Sequence, residues 1–175
     1  MIGIQITESK DFMGKLLKSD CFHIFLLEEA TITTASTYHI DGRINKEFFS
    51  TEELNDLSFC DFAFMPWEQI SPFCFELIKG KRTPLNFKFV LHLIPEQLET
   101  LLSDGTLSSN TIGQTAAQAM CVNDAVLTIK YDGTMITLIT GISYQTFVLD
   151  KTPDKLWDTY ISKFLDQKGI KFTLL

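Results

Sequence analysis

MIGIQITESKDFMGKLLK, residues 1–18, and FKFVLHLIPEQLETLL, residues 87–102, decide the fold, because each runs an alternating strand into an amphipathic helix. In the first, Ile2, Ile4 and Ile6 alternate, and Phe12, Met13, Leu16 and Leu17 follow at helical spacing. In the second, Phe89, Leu91 and Leu93 lead into Leu98, Leu101 and Leu102, about 87 positions later. Period two followed by period 3.6 reads as strand then helix. Three strand-like segments and a further helical pattern come after each opening, so both halves read β-α-β-β-β-α, and a repeat of this kind constrains architecture before any motif does. The first unit spans about residues 1–50 and the second about 86–150. A connector with a helix occupies 51–85, and a terminal helix and strand occupy 151–175.

Outward from these openings, the first helix covers about 9–18, with Thr7 or Ser9 as its cap. Strands at about 22–28, 31–40 and 43–49 follow, the last two joined by Asp41-Gly42, a dipeptide that tolerates the positive φ of a tight turn. Ser50 and Glu53 form a capping-box pattern, and a helix from Pro66 or Trp67 to Ile78 should stop at Gly80. In the second unit, Pro95 opens a helix closing near Gly105, and strands at about 125–131 and 134–140 flank Asp132-Gly133, with a third at 142–149. Residues 105–123 contain no charged side chain, and 114–121 has the pattern of a short helix. The last helix has Thr152 as cap, Pro153 at its first position and a stripe of Leu156, Trp157, Tyr160, Ile161, Phe164 and Leu165 ending at Gly169. Ile170, Phe172 and Leu174 then alternate as a final strand. Antiparallel hairpins with segregated helices define an α+β class: mainly antiparallel sheet with helices packed on one side.

A chain of 175 residues with fifteen Phe is long enough for one domain with a real core, burying roughly 70% of its unfolded surface. The opening residues meet charge before any apolar run of signal length, and nothing nears the roughly 18 apolar residues of a membrane span. A cytoplasmic protein without membrane association is expected. Cys21, Cys60, Cys74 and Cys121 lie far apart with no C-x-x-C, which predicts reduced, mostly buried thiols and no metal site. The formal charge of −7 disfavours nonspecific attraction to phosphate backbones.

The segments YHIDGRINKEFF (38–49), FELIKGKRTPLNFKFVLHL (75–93) and TGISYQTFVLDK (140–151), followed by Trp157-Asp158, resemble an uncharacterised domain-of-unknown-function family of anaerobic Gram-positive bacteria. That resemblance would cover essentially the whole chain and implies a cytoplasmic protein without an assigned activity or catalytic residues. In topology, two tandem β-α-β-β-β units resemble one domain of a DNA sliding clamp. The insertion at 50–80, the added terminal helix and Glu96 and Glu99 on the second unit's helix depart from that pattern.

No G-x-G occurs in the chain, and Phe75 stands where a Walker loop ending in Gly80-Lys81-Arg82-Thr83 needs its first glycine. Gly141-Ile142-Ser143-Tyr144-Gln145 lacks the second glycine of a nucleophile elbow. His39 precedes Asp41 by two positions, so the pair can share a strand face beside Arg43, as a histidine oriented for general-base work would need; Asp41 is equally explained by turn chemistry. His23 and His92 read as half-buried neutral strand residues without a nearby carboxylate. The remaining signal is electrostatic: Lys79, Lys81, Arg82 and Lys88 fall in a window with no acid between Glu76 and Glu96. Arg43 and Arg82 are the only arginines, and arginine binds carboxylate and phosphate bidentately.

The sequence therefore points to a non-catalytic binding or interaction module without a cofactor, using the 79–88 turn to take an acidic protein, a phosphate-bearing ligand or a nucleic acid. The alternatives are a clamp-related nucleic-acid accessory protein, which would require a homo-oligomer, and a hydrolase or transferase with a site around His39, Asp41 and Arg43.

Overall fold

In the computed structural model, which describes residues 1–56, 61–107, 121–146 and 149–175, eight strands build one sheet against which the helices lie. The strands are β1 (Gly3–Ile6), β2 (Phe25–Thr33), β3 (Thr37–Asp41), β4 (Met65–Pro66), β5 (Asn86–Leu93), β6 (Val122–Tyr131), β7 (Ile136–Tyr144) and β8 (Phe172–Leu174). Their order is β3-β2-β5-β6-β7-β1-β8, with β4 paired to β2, and every ladder is antiparallel. The helices are α1 (Ser9–Lys18), α2 (Thr51–Asp56), α3 (Trp67–Ile78), α4 (Pro95–Leu107) and α5 (Thr152–Gln167). The class is α+β.

Alternation fixes which face of the sheet is inside. Phe87, Phe89, Leu91 and Leu93 of β5, with Ala125, Leu127 and Ile129 of β6, point into one core shared with Phe12 and Leu16 of α1, Trp67 and Cys74 of α3, Leu98 of α4 and Trp157 and Ile161 of α5. Phe22 and Phe164 meet edge to face at 5.3 Å and tie the first helical region to the last helix. The Nε1 groups of both tryptophans donate to backbone carbonyls, Trp67 to Leu16 O and Trp157 to Val126 O. Each polar tip is thus satisfied while the ring fills the interior.

Several local readings hold. Ser50 and Glu53 exchange capping-box hydrogen bonds of 2.8 and 3.2 Å, which hold the Glu53 carboxyl below its usual range through the backbone and hydroxyl donors of Ser50. Asp132 Oδ1 accepts from Thr134 N, Thr134 Oγ1 and Met135 N, and Gly133 has φ +97°, the left-handed conformation the β6–β7 turn requires. Gly169 at φ +64° ends α5.

Others are corrected. The break between two strands expected at 29–30 falls instead at 34–36: β2 runs on through Glu28 and Glu29, where a bulge absorbs the irregularity between Leu27 and Glu29, and the hairpin turns at 34–36. No strand covers 43–49; Lys46–Phe48 is a 3₁₀ turn. Gly42 has no positive φ. A Cβ there would lie 1.8 Å from Leu27 O, so glycine is needed because two backbones nearly touch. Residues 142–144 continue β7 rather than start a third strand. No side chain caps α1, Thr7 Oγ1 instead donates to Lys171 O, and Asp150 Oδ1 accepts from Thr152 N and Oγ1 at the start of α5. The expected helix at 114–121 lies almost wholly outside the described residues.

Neither the duplication nor a clamp arrangement is shown by the strand order. Strands β5, β6 and β7 are consecutive neighbours, whereas their counterparts β1 and β2 are separated by all three of them.

Candidate functional site

At the end of the sheet where β1 and β6 finish and β5 and β7 begin, α1 and α3 part to leave a groove of about 380 Å³. One wall is the α1 face carrying Lys10, Met13, Gly14, Leu17 and Lys18, positions that share a side of a helix by their three- and four-residue spacing. Phe75 and Ile78 of α3 form the other wall. Phe87, Tyr131 and Ile136 make the floor, where the Phe87 and Tyr131 rings stack at 5.2 Å. The turn after α3, residues 79–84, runs along the rim.

Five cations line this apolar groove: Lys10, Lys18, Lys79, Lys81 and Arg82, and no carboxylate side chain is among its lining residues. Lys18 Nζ sits 4.5 Å from the Phe75 ring centroid, bridging the two walls, and Lys79 pairs with Glu76 on the preceding turn. Lys10, Lys81 and Arg82 have no ion pair among the described residues. The sequence signal at 79–82 is therefore half of a larger cationic rim whose other half comes from α1.

Lys88 does not belong to it. With Phe87 and Phe89 facing the core, Lys88 faces the other side of the sheet, where Nζ lies 3.5 Å from Glu29 Oε2. His39, Asp41 and Arg43 also lie away from the groove, at the β3 edge. His39 Nδ1 is 3.3 Å from Thr31 Oγ1, Asp41 Oδ1 accepts from Arg43 N at 3.0 Å, and Arg43 bridges to Phe64. Both His39 and Asp41 are exposed, and the carboxylate is engaged in turn chemistry.

Sequence reasoning missed a cluster on the face opposite the helices. His92 is buried beneath Phe64, with ring centroids 4.6 Å apart. Its Nε2 lies 2.6 Å from Glu28 Oε2, and its Nδ1 lies 3.5 Å from Asp124 Oδ1. The second contact is ionic rather than a formed hydrogen bond, since Nδ1 has no hydrogen-bond partner of its own. Burial alone would lower the His92 pKa, but the two carboxylates, Asp124 and Glu28, more than offset it and hold it above the ordinary 6.5. His23 likewise has a carboxylate within reach, Glu68 at 4.0 Å.

Cys21 and Cys74 are free thiols, and burial pushes Cys74 up to about 12, leaving it protonated and unreactive. Cys60 lies outside the described residues. Among the described residues no group of histidine, cysteine and carboxylate side chains is arranged to hold a metal ion, and no helix is long and apolar enough to cross a membrane.

Fold and groove together define an α+β single-sheet protein with a cation-rimmed, apolar-floored cleft on its helical side. The chain belongs to the family described as "Family of unknown function (DUF5721)", which it matches over residues 15–173. No curated protein and no solved structure matches it.

Proposed function

We propose that this protein is a non-catalytic binding module and that the groove between α1 and α3 is its ligand site, taking an anion with an apolar body. The observation that supports this is the segregation of charge: five cations and no lining carboxylate around one groove, in a chain of net charge −7. Apolar walls beneath the cations focus their field and strengthen its hold on an anion. The volume is at the lower end of the ~300–1,000 Å³ usual for small-molecule sites.

Nothing favours the other readings. The basic side chains ring a cleft instead of running along a continuous face that could track a nucleic-acid backbone. His39, Asp41 and Arg43 are exposed at a sheet edge and do not line the groove.

Titration with anilinonaphthalene sulfonate, an apolar anion that fluoresces when bound, tests the reading. Wild type should bind it saturably and more weakly as salt rises. Lys81→Glu with Arg82→Glu should weaken binding at least tenfold while leaving the thermal midpoint nearly unchanged, since exposed charge substitutions move stability by less than about 0.5 kcal/mol. Identical titrations of the two proteins would overturn the proposal.

A further inference from the structure

Gly14 sits in the interior of α1, on the face that lines the groove. A glycine there weakens the helix relative to alanine, because it loses more backbone freedom on folding. The fold does not ask for it. Its φ is not positive, and a Cβ built on it would meet no atom within 4 Å. What the missing side chain does is leave space between Met13 and Leu17, directly in the groove.

The polar inventory of the groove narrows what fills that space. Apart from the cations, its side chains offer only the hydroxyls of Ser9, Thr83 and Tyr131, and Tyr131 Oη already donates to Gly133 O at 2.8 Å. No Asp, Glu, Asn or Gln side chain lines it. A nucleobase or a sugar brings several donors that need acceptors, and leaving them unpaired on burial is costly. An alkyl chain brings none.

Building on the groove as an anion site, we propose that its ligand is an aliphatic anion, an acyl carboxylate or an alkyl phosphate. The tail lies along Met13, Leu17, Phe75, Ile78 and Phe87, and the head group meets Lys81 and Arg82. Gly14 is the specificity-determining residue that makes room for the tail.

Displacement of anilinonaphthalene sulfonate from the full chain decides this, using decanoate, decyl phosphate, octanoate, decanol, inorganic phosphate and adenosine monophosphate. Decanoate or decyl phosphate should displace the dye, and the stronger of the two identifies the head group. Octanoate should be on the order of tenfold weaker than decanoate, because each buried methylene is worth about fourfold in affinity. Decanol, lacking charge, and inorganic phosphate, lacking a tail, should each be at least tenfold weaker than the preferred alkyl anion.

Gly14→Leu should bind the alkyl anion at least tenfold more weakly, with a thermal midpoint equal to or above wild type. Gly14→Ala, whose added methyl has open space, should fall between the two and covers the case in which leucine perturbs the fold. Adenosine monophosphate competing better than either alkyl anion, or chain-length independence with Gly14→Ala and Gly14→Leu matching wild type, would overturn the aliphatic assignment and leave the anion groove standing. Unchanged dye binding by the Lys81→Glu, Arg82→Glu protein would overturn both.

Discussion

His92 Nε2 and Glu28 Oε2 lie 2.6 Å apart although 64 positions separate them in the chain. The contact depends on the β2 bulge. Leu26 pairs with His92 and Glu29 with Val90, so Glu28 is the extra residue between the two registers, free to swing toward the imidazole. Asp124 arrives from β6, two residues along from Val126, the direct partner of His92. Three strands thus contribute to one charge cluster, in which the buried His92 lies under Phe64 between two partly exposed carboxylates.

This cluster makes stability depend on pH with a definite sign. The folded pKa of His92 is raised above 6.5, so the native state holds the proton more tightly than the unfolded chain. The stabilisation is fully present below about pH 6.5, the unfolded value, and is lost as pH rises through the higher folded value. The His92 imidazole signals in an NMR titration should have a midpoint above 6.5. The thermal midpoint of wild type should fall across that window relative to His92→Phe, which keeps an aromatic ring under Phe64 and cannot ionise. Parallel pH profiles for the two proteins would show that the cluster stores no such energy.

What the sequence revealed and concealed follows from distance along the chain. Gly133, the Ser50–Glu53 box and the Trp157 stripe were legible because their partners lie within a few residues or a helical turn. Lys79, Lys81 and Arg82 were legible as a contiguous run, while Lys10 and Lys18 were hidden because each sits among nearby acids on a helix whose orientation only tertiary packing fixes. Lys88 is separable from that run in the sequence itself, since alternation with Phe87 and Phe89 sends it to the other face. The carboxylates beside His92 are invisible in its local sequence because both belong to neighbouring strands. Asp41-Gly42 has the local signature of a turn because Asp-Gly is a frequent turn pair, whereas the approach of Leu27 O is set by tertiary packing.

The α5 stripe gives a prediction about the core. Trp157 is fully buried, stacks on Tyr160 at 5.6 Å and donates from Nε1 to Val126 O at 3.0 Å. Trp157→Ala should cost on the order of 3–5 kcal/mol, the usual range for truncating a large buried aromatic. For a chain of this size that lowers the thermal midpoint by roughly 6–20 °C. A midpoint within a degree or two of wild type would show that α5 does not hold the sheet face.

Gly42 gives the sharpest steric prediction. Its N–H donates to Glu28 O at 2.9 Å and its C=O accepts from Met65 N at 2.7 Å, so the backbone is pinned on both sides where it crosses β2. A methyl group at this position would sit 1.8 Å from Leu27 O, and neither backbone can retreat without breaking those bonds. Gly42→Ala should therefore cost on the order of 3 kcal/mol or more, at or beyond the upper end for overpacked sites. Gly141→Ala is the control: it lies in β7, where a Cβ meets nothing within 4 Å, and its effect on stability should stay within about 1 kcal/mol. Urea unfolding of the two variants beside wild type separates the cases. Equal midpoints for Gly42→Ala and Gly141→Ala would mean that the crossing at Leu27 is looser than its hydrogen bonds imply.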